Sequence, residues 1–576
     1  MTSIQPNPAV IAAAEAQARV DACLDAGCSF RLEAGAGAGK TYSLVKALKR
    51  LIAQRGTKLL QEGQKIACIT FTEVARDEIV KEVEQHPAIL VNTIHAFSWA
   101  FLAQFQKALR ELVGAMEDRQ DKITEGGGVG TKPVEYSLGF FGVDEDKITL
   151  SHDDIPRFMA KLLSEEKFRK LLSQQYPVIF IDEYQDTDQS FMTAISEHFF
   201  QTGEGPLIGL FGDHWQTIYR GDFDLADFTV EGIDKGANFR SAPAIVNVLN
   251  QLRPELPQEV SDPEAEGEAR FFHANSYQGA RTNTAHSKND VPDDVARNFM
   301  TTLLARLEAD GWDLSPTKTK ILMLTHSALA AKQGYPSIAE IFKRSEAFAK
   351  KEDPTIEFFA DTIEPMCRAY ADGRYGEMFR ILGNAPAIKA HAEKLRWRES
   401  MDALNQLRVE RTIGEVLGHL KLCRRPRLPD RVMRREDEIA QFPEGTIPVE
   451  ETALVRHQQL RAVPYREIIE LVKFVDGSTP FATQHSVKGA EFENVLVVLG
   501  GGWNHYNWPQ FLELLETSAF TDKNTKGFHR ARNLFYVSVS RPKTRLAVLA
   551  TQTMSPTALQ AAANLFGGVN VHCLEI

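Results

Sequence analysis

The sequence predicts an α/β protein with two parallel-sheet cores, each interrupted by a mainly helical insertion. Short apolar runs of strand length alternate with helical stretches, as in sheets covered on both faces. The runs are SFRLEA (29–34), KIACITF (65–71), AILVNTI (88–94), PVIFID (177–182), PLIGLFGD (206–213), KILMLTH (320–326), VLVVLG (495–500) and RLAVLA (545–550). They fall into two groups, one before about residue 240 and one after about 316. Between them lie long helical or polar tracts.

The first element with chemistry is AGAGAGKT (34–41). A phosphate-binding loop reads Gly, four residues, Gly-Lys-Thr/Ser. Gly39, Lys40 and Thr41 fit, and Ala34 stands at the first glycine position. Gly35, Gly37 and Gly39 let backbone N–H groups approach phosphates closely. Lys40 would neutralise phosphate charge and Thr41 would place a hydroxyl on Mg²⁺. The strand before the loop and the helix YSLVKALKRLIAQ (42–54) after it complete the arrangement, since a helix N-terminus favours an anion.

The second element is VIFIDEYQDTD (178–188), an apolar strand ending in Asp182 and Glu183. One carboxylate there can hold Mg²⁺ and the next can orient or deprotonate water. Together with the loop, this pair points to nucleotide hydrolysis.

Bulk properties limit the alternatives. The chain has 576 residues, 43% hydrophobic and 25% charged, as expected of a globular protein of several domains. Its net charge of −11 argues against a general coat on nucleic acid, though not against a local groove. No apolar run approaches membrane-span length, and MTSIQPNPAVIAAAEAQARV lacks the form of a signal peptide. The six cysteines are scattered and read as reduced thiols. The expected location is cytoplasmic, with no membrane partner.

TFTEVARDEI (70–79), NTIHAF (92–97), IDEYQDTD (181–188), FGDHWQTIY (211–219), NFRS (238–241), TQHSVKGAEFENV (483–495) and RNLFYVSVSRPK (532–543) follow in order. In this order they resemble the motifs of superfamily 1 DNA helicases of the UvrD/Rep/PcrA group. The resemblance covers about 15–245 and 480–550 and is weak in the insertions. It implies two RecA-like parallel-sheet P-loop ATPase cores. The first spans 1–100 and 176–237, with a helical insertion at 101–175. The second spans 238–335 and 476–576, with a helical insertion at 336–475.

The resemblance also implies residue roles. ATP and Mg²⁺ would be the cofactors. Lys40 and Thr41 would bind phosphate and metal, Asp182 would support the metal, and Glu183 would be the catalytic base. Gln216 would sense the γ-phosphate. Arg240 and Arg541 would be contributed by the second core, so that closure couples hydrolysis to core motion. Phe239 would stack on adenine, Glu491 would bind ribose, and Gln17 and Tyr42 would lie near the base. Thr70, Phe71, Thr72, Thr93, His95, Phe97, Tyr219, His485 and Ser486 would contact single-stranded DNA, aromatic faces on bases and polar groups on phosphates. Outside the motif context, Phe71 and Phe97 read as core aromatics.

The implied activity is ATP-dependent translocation on single-stranded or tailed duplex DNA, 3′ to 5′ as in the family. A second reading is a DNA-stimulated ATPase that serves as sensor or regulatory subunit. The size and LTHSALAAKQGY (324–335) resemble the helicase-like subunits of Gabija anti-phage systems, which implies an OLD-type nuclease as partner. GAEF and SVSRP do not suit a transporter or kinase, and no extra Asp/Glu-Lys cluster points to a nuclease within the chain.

Departures from the family pattern bear on the DNA contacts. Tyr42 follows GKT where arginine is common, and Glu73-Val74 replaces Asn-Lys. QTIYRGD is two residues shorter than the usual third motif and lacks an aromatic that often stacks on a base. HRAR (529–532) replaces an acidic pair. The basic run KLCRRPRLPDRVMRRED (421–437) and the aromatics Trp503, Tyr506 and Trp508 are each open to a binding or a packing role.

Overall fold

In the computed structural model the first apolar runs pair into one sheet. Its strands are β1 (Phe30–Ala34), β2 (Ile66–Thr70), β3 (Ile89–Thr93), β4 (Val178–Asp182), β5 (Leu207–Gly212) and β6 (Glu231–Lys235). The order is β3-β2-β4-β5-β1-β6, with parallel pairing throughout. The second sheet comprises β7 (Glu268–His273), β8 (Thr319–Met323), β9 (Phe481–Thr483), β10 (Phe492–Leu499), β11 (Pro542–Ala550) and β12 (Val571–Cys573). Its order is β9-β8-β10-β11-β7-β12. The two sheets therefore repeat one connectivity although the sequence shows no internal repeat. The fold is α/β with two RecA-like parallel sheets. The structure describes residues 7–137, 141–218, 229–284, 287–324, 330, 333–342, 347–383, 388, 390–442, 447–448, 452–501 and 505–576.

Helix α1 (Pro8–Ala26) has clear local causes. The Asn7 side chain accepts from the Ala9 and Val10 amides, proline opens the helix, and Gly27 ends it in the left-handed region. Helix α2 (Lys40–Gln61) starts directly from the glycine loop and buries Leu44, Leu48 and Leu51. These helices cover one face of the first sheet, in a core with Phe30, Cys68 and Phe180.

The opposite face is covered by the first insertion. Phe101, Leu109, Val113, Phe158 and Leu162 share one core with Ile69, Ile181 and Leu210 of the sheet. This insertion is not wholly helical, because Val134–Tyr136, Gly142–Val143 and Ile148–Leu150 form a small sheet. The second insertion is helical among its described residues and has a core of its own, including Phe359, Leu417, Tyr465 and Leu471.

One stretch differs from the sequence reading. The polar segment 259–294 reads as a long loop, yet it contains β7, whose Phe271 and Phe272 are buried, and a hairpin of Thr282–Thr284 with Ser287–Asp290. The chain divides into two compact units, and residues 238–269, 519–545 and 561–570 belong with 1–237 in the first. The second unit holds 270–518, 546–560 and 571–576. No helix among the described residues is long and apolar enough to cross a membrane.

Candidate nucleotide site

The glycine loop turns from β1 into α2 under pressure from residues far along the chain. Gly37 has φ 75°, and a Cβ there would stand 2.9 Å from Arg240 Cβ and from Asn238 Oδ1. A Cβ on Gly35 would stand 2.5 Å from Gln258 Nε2. Glycine is required at both positions by close approach. The loop carbonyls are held from outside. Asn238 Nδ2 and Gln258 Nε2 donate to Ala36 O at 3.1 and 2.9 Å, the Phe239 amide donates to Gly37 O at 2.9 Å, and Lys235 Nζ donates to Gly39 O at 2.8 Å. That leaves the inner side of the loop to N–H groups at a helix N-terminus, an anion-binding geometry. Ala34, buried at the end of β1, completes the turn without strain.

The acid pair faces this loop. Lys40 Nζ lies 2.6 Å from Glu183 Oε2, and Gln185 Nε2 donates to the same oxygen at 2.5 Å. Glu183 has φ 50°, a left-handed conformation unusual for a glutamate and typical of a constrained functional turn. Asp182 is buried, and its Oδ1 has no hydrogen-bond partner. Burial pushes the Asp182 carboxyl up to about 7; the Lys40 ammonium opposes that shift and the Glu183 carboxylate adds to it. Lys40 is itself held above its ordinary value, because the Glu183 and Asp182 carboxylates outweigh the burial that works against its charge. A buried carboxylate oxygen with no donor fits a divalent cation, with the half-buried Thr41 hydroxyl in the first turn of α2.

The sensor and the two arginines join the same unit. Helix α3 (Pro243–Leu252) and helix α4 (Thr525–Val539) pack there, and Arg541 follows α4. Gln216 Nε2 donates to Asp213 Oδ2 at 2.7 Å, and Arg541 Nη2 reaches Gln216 Oε1 at 3.4 Å. Arg541 is only 1% exposed and donates through Nε to Val537 O at 2.8 Å. Burial and then the Arg240 charge push the Arg541 guanidinium below its ordinary value, so an anion beside both arginines would relieve a real electrostatic cost. Arg240 Nη1 donates to Ser540 O at 3.2 Å. Both arginines fall in the compact unit that holds the loop, and NFRS is bonded to SRPK, the start of β11: Ser241 Oγ donates to Pro542 O, and the Ala242 amide donates to Lys543 O.

On the expected base side, Tyr42 is 71% exposed and Phe239 44% exposed, and both flank Gly39. Gln17 is buried; its Nε2 donates to Asp21 at 3.0 Å, and its Oε1 has no partner. Glu491, His485 and Ser486 belong to the second unit. Glu491 is exposed, His485 Nε2 lies 2.9 Å from Tyr506 Oη, and Ser486 Oγ donates to Thr483 O.

The expected DNA contacts of the first unit divide by burial. Phe71 and Thr72 are exposed just past β2, and Thr72 caps the following helix by accepting from the Ala75 amide. Thr93 ends β3, and His95 stacks on His152 of the insertion at 3.4 Å between ring centres. Thr70 is buried, with its hydroxyl donating to Thr72 O. Phe97 is a correction: its ring is 1% exposed and packs against Tyr176, so it has no face to offer a base. Tyr219 lies outside the described residues, as does Trp503. Tyr506 and Trp508 are buried and stacked on each other, which is a packing role. In the basic run, Lys421, Arg427 and Arg435 are paired with Asp437, Asp430 and Asp353.

Sequence reasoning missed Lys235, Asn238 and Gln258 around the loop, and Glu33, Asp213, Arg253 and Tyr536 behind it. The Tyr536 hydroxyl accepts from the Ala36 amide at 3.1 Å across 500 residues of sequence. The tyrosine and the NFRS asparagine do lie inside quoted motifs, so that signal was present without its meaning.

Comparison with known proteins agrees with this geometry. Residues 18–222 match the model of a family described as AAA domain. The chain is 22% identical to Gabija protein GajB of Bacillus cereus (strain HuB5-5), over 89% of this chain and 92% of that protein. The loop and the acid pair have the form of a P-loop ATPase site, and the chain is similar to the AAA domain family over residues 18–222 and to Gabija protein GajB along most of its length.

Proposed function

We propose that the chain hydrolyses ATP with Mg²⁺ in response to single-stranded DNA and uses that hydrolysis to move on the strand, 3′ to 5′. The observation that carries this reading is the sharing of one sheet edge. Asp182 at the end of β4 stands beside β2, whose end leads to the exposed Phe71 and Thr72, and β2 in turn pairs with β3, whose end is Thr93. A strand on those residues would touch the turns that position the phosphate chemistry.

Lys40, the loop amides, Arg240 and Arg541 would hold the phosphates, and Thr41 with Asp182 would hold the metal. Magnesium, when bound, supplies charge neutralisation at the phosphates. Lys40 turned toward phosphate would release Glu183 from its ion pair. Glu183 could then accept a proton from water, with Gln185 fixing its carboxylate. Gln216, held by Asp213 and beside Arg541, would report the γ-phosphate position. Tyr42 and Phe239 would receive the base, with Gln17 as a further contact. His95 would extend the strand contact.

The likeness to Gabija protein GajB along 89% of the chain favours a second reading. In it, the chain is a DNA-stimulated ATPase that senses DNA for an OLD-type nuclease partner in anti-phage defence, with little unwinding of its own. Steady-state ATP hydrolysis with and without single-stranded DNA, wild type against Lys40→Ala, tests both. Stimulation lost in the variant supports the DNA-driven ATPase. Lys40-dependent hydrolysis indifferent to DNA removes the motor. A lone monomer that unwinds tailed duplexes robustly removes the regulatory subunit.

A further inference from the structure

Behind the glycine loop lies a buried polar cluster that the phosphate chemistry does not use directly. Arg253, at the C-terminus of α3, is 2% exposed. Its Nη1 donates to Asp213 Oδ1 at 2.6 Å and its Nη2 to Glu33 Oε1 at 3.0 Å. Glu33 also accepts from Tyr184 Oη at 2.7 Å and from the His214 amide at 2.8 Å. The guanidinium carbon stands 5.2 Å from the Trp215 ring centre and 5.7 Å from that of Tyr536.

Glu33, Asp213 and His214 stand close enough together to hold a metal ion. The guanidinium already lies between the two carboxylates, so their charge is compensated without one. Its partners point elsewhere. Asp213, oriented by Arg253, accepts from Gln216 Nε2, and that bond leaves Gln216 Oε1 facing Arg541. Tyr536, against Arg253, accepts from the Ala36 amide of the loop. One buried cation thus touches the groups that fix both the sensor amide and the first turn of the phosphate loop.

We propose that Arg253 and Tyr536 are positioning residues for ATP hydrolysis, locking the Gln216 amide and the Ala36 turn into one rigid arrangement. The inference rests on the ATPase reading above. Arginine is suited to the task because its planar fork serves two carboxylates at fixed angles, which an ammonium cannot do.

The test is steady-state hydrolysis of ATP with Mg²⁺ by the full chain, comparing wild type, Lys40→Ala, Tyr536→Phe, Arg253→Lys and Arg253→Gln. Tyr536→Phe removes one hydroxyl and keeps the ring, so it serves if the arginine variants fail to fold. It should lower kcat about tenfold, the scale of one lost hydrogen bond in the transition state. Arg253→Gln should lower kcat about 10²-fold, the effect of a misplacement near 1 Å. KM for ATP should stay within about threefold of wild type in both, as expected when an interaction that matters only in the transition state is lost. Arg253→Lys should recover less than half of the lost rate. Unchanged kcat in folded Tyr536→Phe, or a loss confined to KM, overturns the proposal while leaving the ATPase reading intact. A wild type no more active than Lys40→Ala overturns both.

Discussion

At the carboxyl ends of β1, β4 and β5 the first sheet carries Glu33, Asp182 and Asp213; at the ends of β7, β10 and β11, the strands of the same rank, the second carries His273, Leu499 and Ala550. Strand order is the same in both, so connectivity does not explain the difference. In open parallel sheets, ligands bind beyond the carboxyl ends of the strands. Carboxylates there must be compensated, and the first sheet compensates them with Lys40 and Arg253. The last residues of those three strands in the second sheet are neutral, and the carboxylate beyond them, Asp290, accepts from the Gly501 amide. One connectivity thus appears twice, while among the described residues the glycine loop and the acid pair stand on the first sheet.

That contrast can be broken or sharpened by substitution. The largest expected effect is in Arg541→Ala: turnover should fall by about 10³–10⁵ while ATP affinity changes far less, as for a guanidinium that acts on developing phosphoryl charge. Measuring kcat beside equilibrium binding of a fluorescent ATP analogue checks it, and normal turnover would reduce Arg541 to a packing role. Glu183→Gln should slow hydrolysis by about 10²–10⁴ and leave ATP trapped on the protein, read by filter binding.

Glu33→Gln should act on stability. Breaking a buried ion pair costs about 3–5 kcal/mol. Burial works to raise the Glu33 carboxyl, but His214, Arg253 and Tyr184 together hold it down at about 2. A depressed carboxylate stabilises the fold fully above its unfolded value of 4.5 and loses that contribution as pH falls toward about 2. Wild type and variant should therefore differ most above pH 4.5 and converge below it in denaturant titrations. A constant difference across that window would mean the charge of Glu33 is not what matters. The smallest effect belongs to the second sheet. His273→Gln, on the strand that matches β1, should leave kcat within about twofold, as for a change remote from reacting groups. A large loss there would show that the second sheet has phosphate chemistry of its own.

Much of this was legible in the sequence because its causes are local. All eight apolar runs became strands, since a run of four to eight buried apolar residues has few other stable forms. Strands β6, β7, β9 and β12 were not read. EGIDK carries alternating charge, EARFFH sits inside a polar tract, and VHC is three residues long. Each becomes a strand through pairing with a neighbour distant in sequence, as β12 does with β7. The small sheet in the first insertion and the burial of Phe97 likewise depend on what packs against them.

The sequence by itself determined the phosphate loop, the acid pair at the end of β4 and the α/β class. In each, the chemistry lies within a few consecutive residues, and backbone geometry alone aims them. Tertiary structure decided that Arg541 meets Gln216, that Lys235 and Gln258 grip the loop carbonyls, and that Tyr536 reaches the Ala36 amide. Those contacts join segments separated by hundreds of residues. Their partners are selected by burial, where a polar group must find whichever complement the packed chain brings to it.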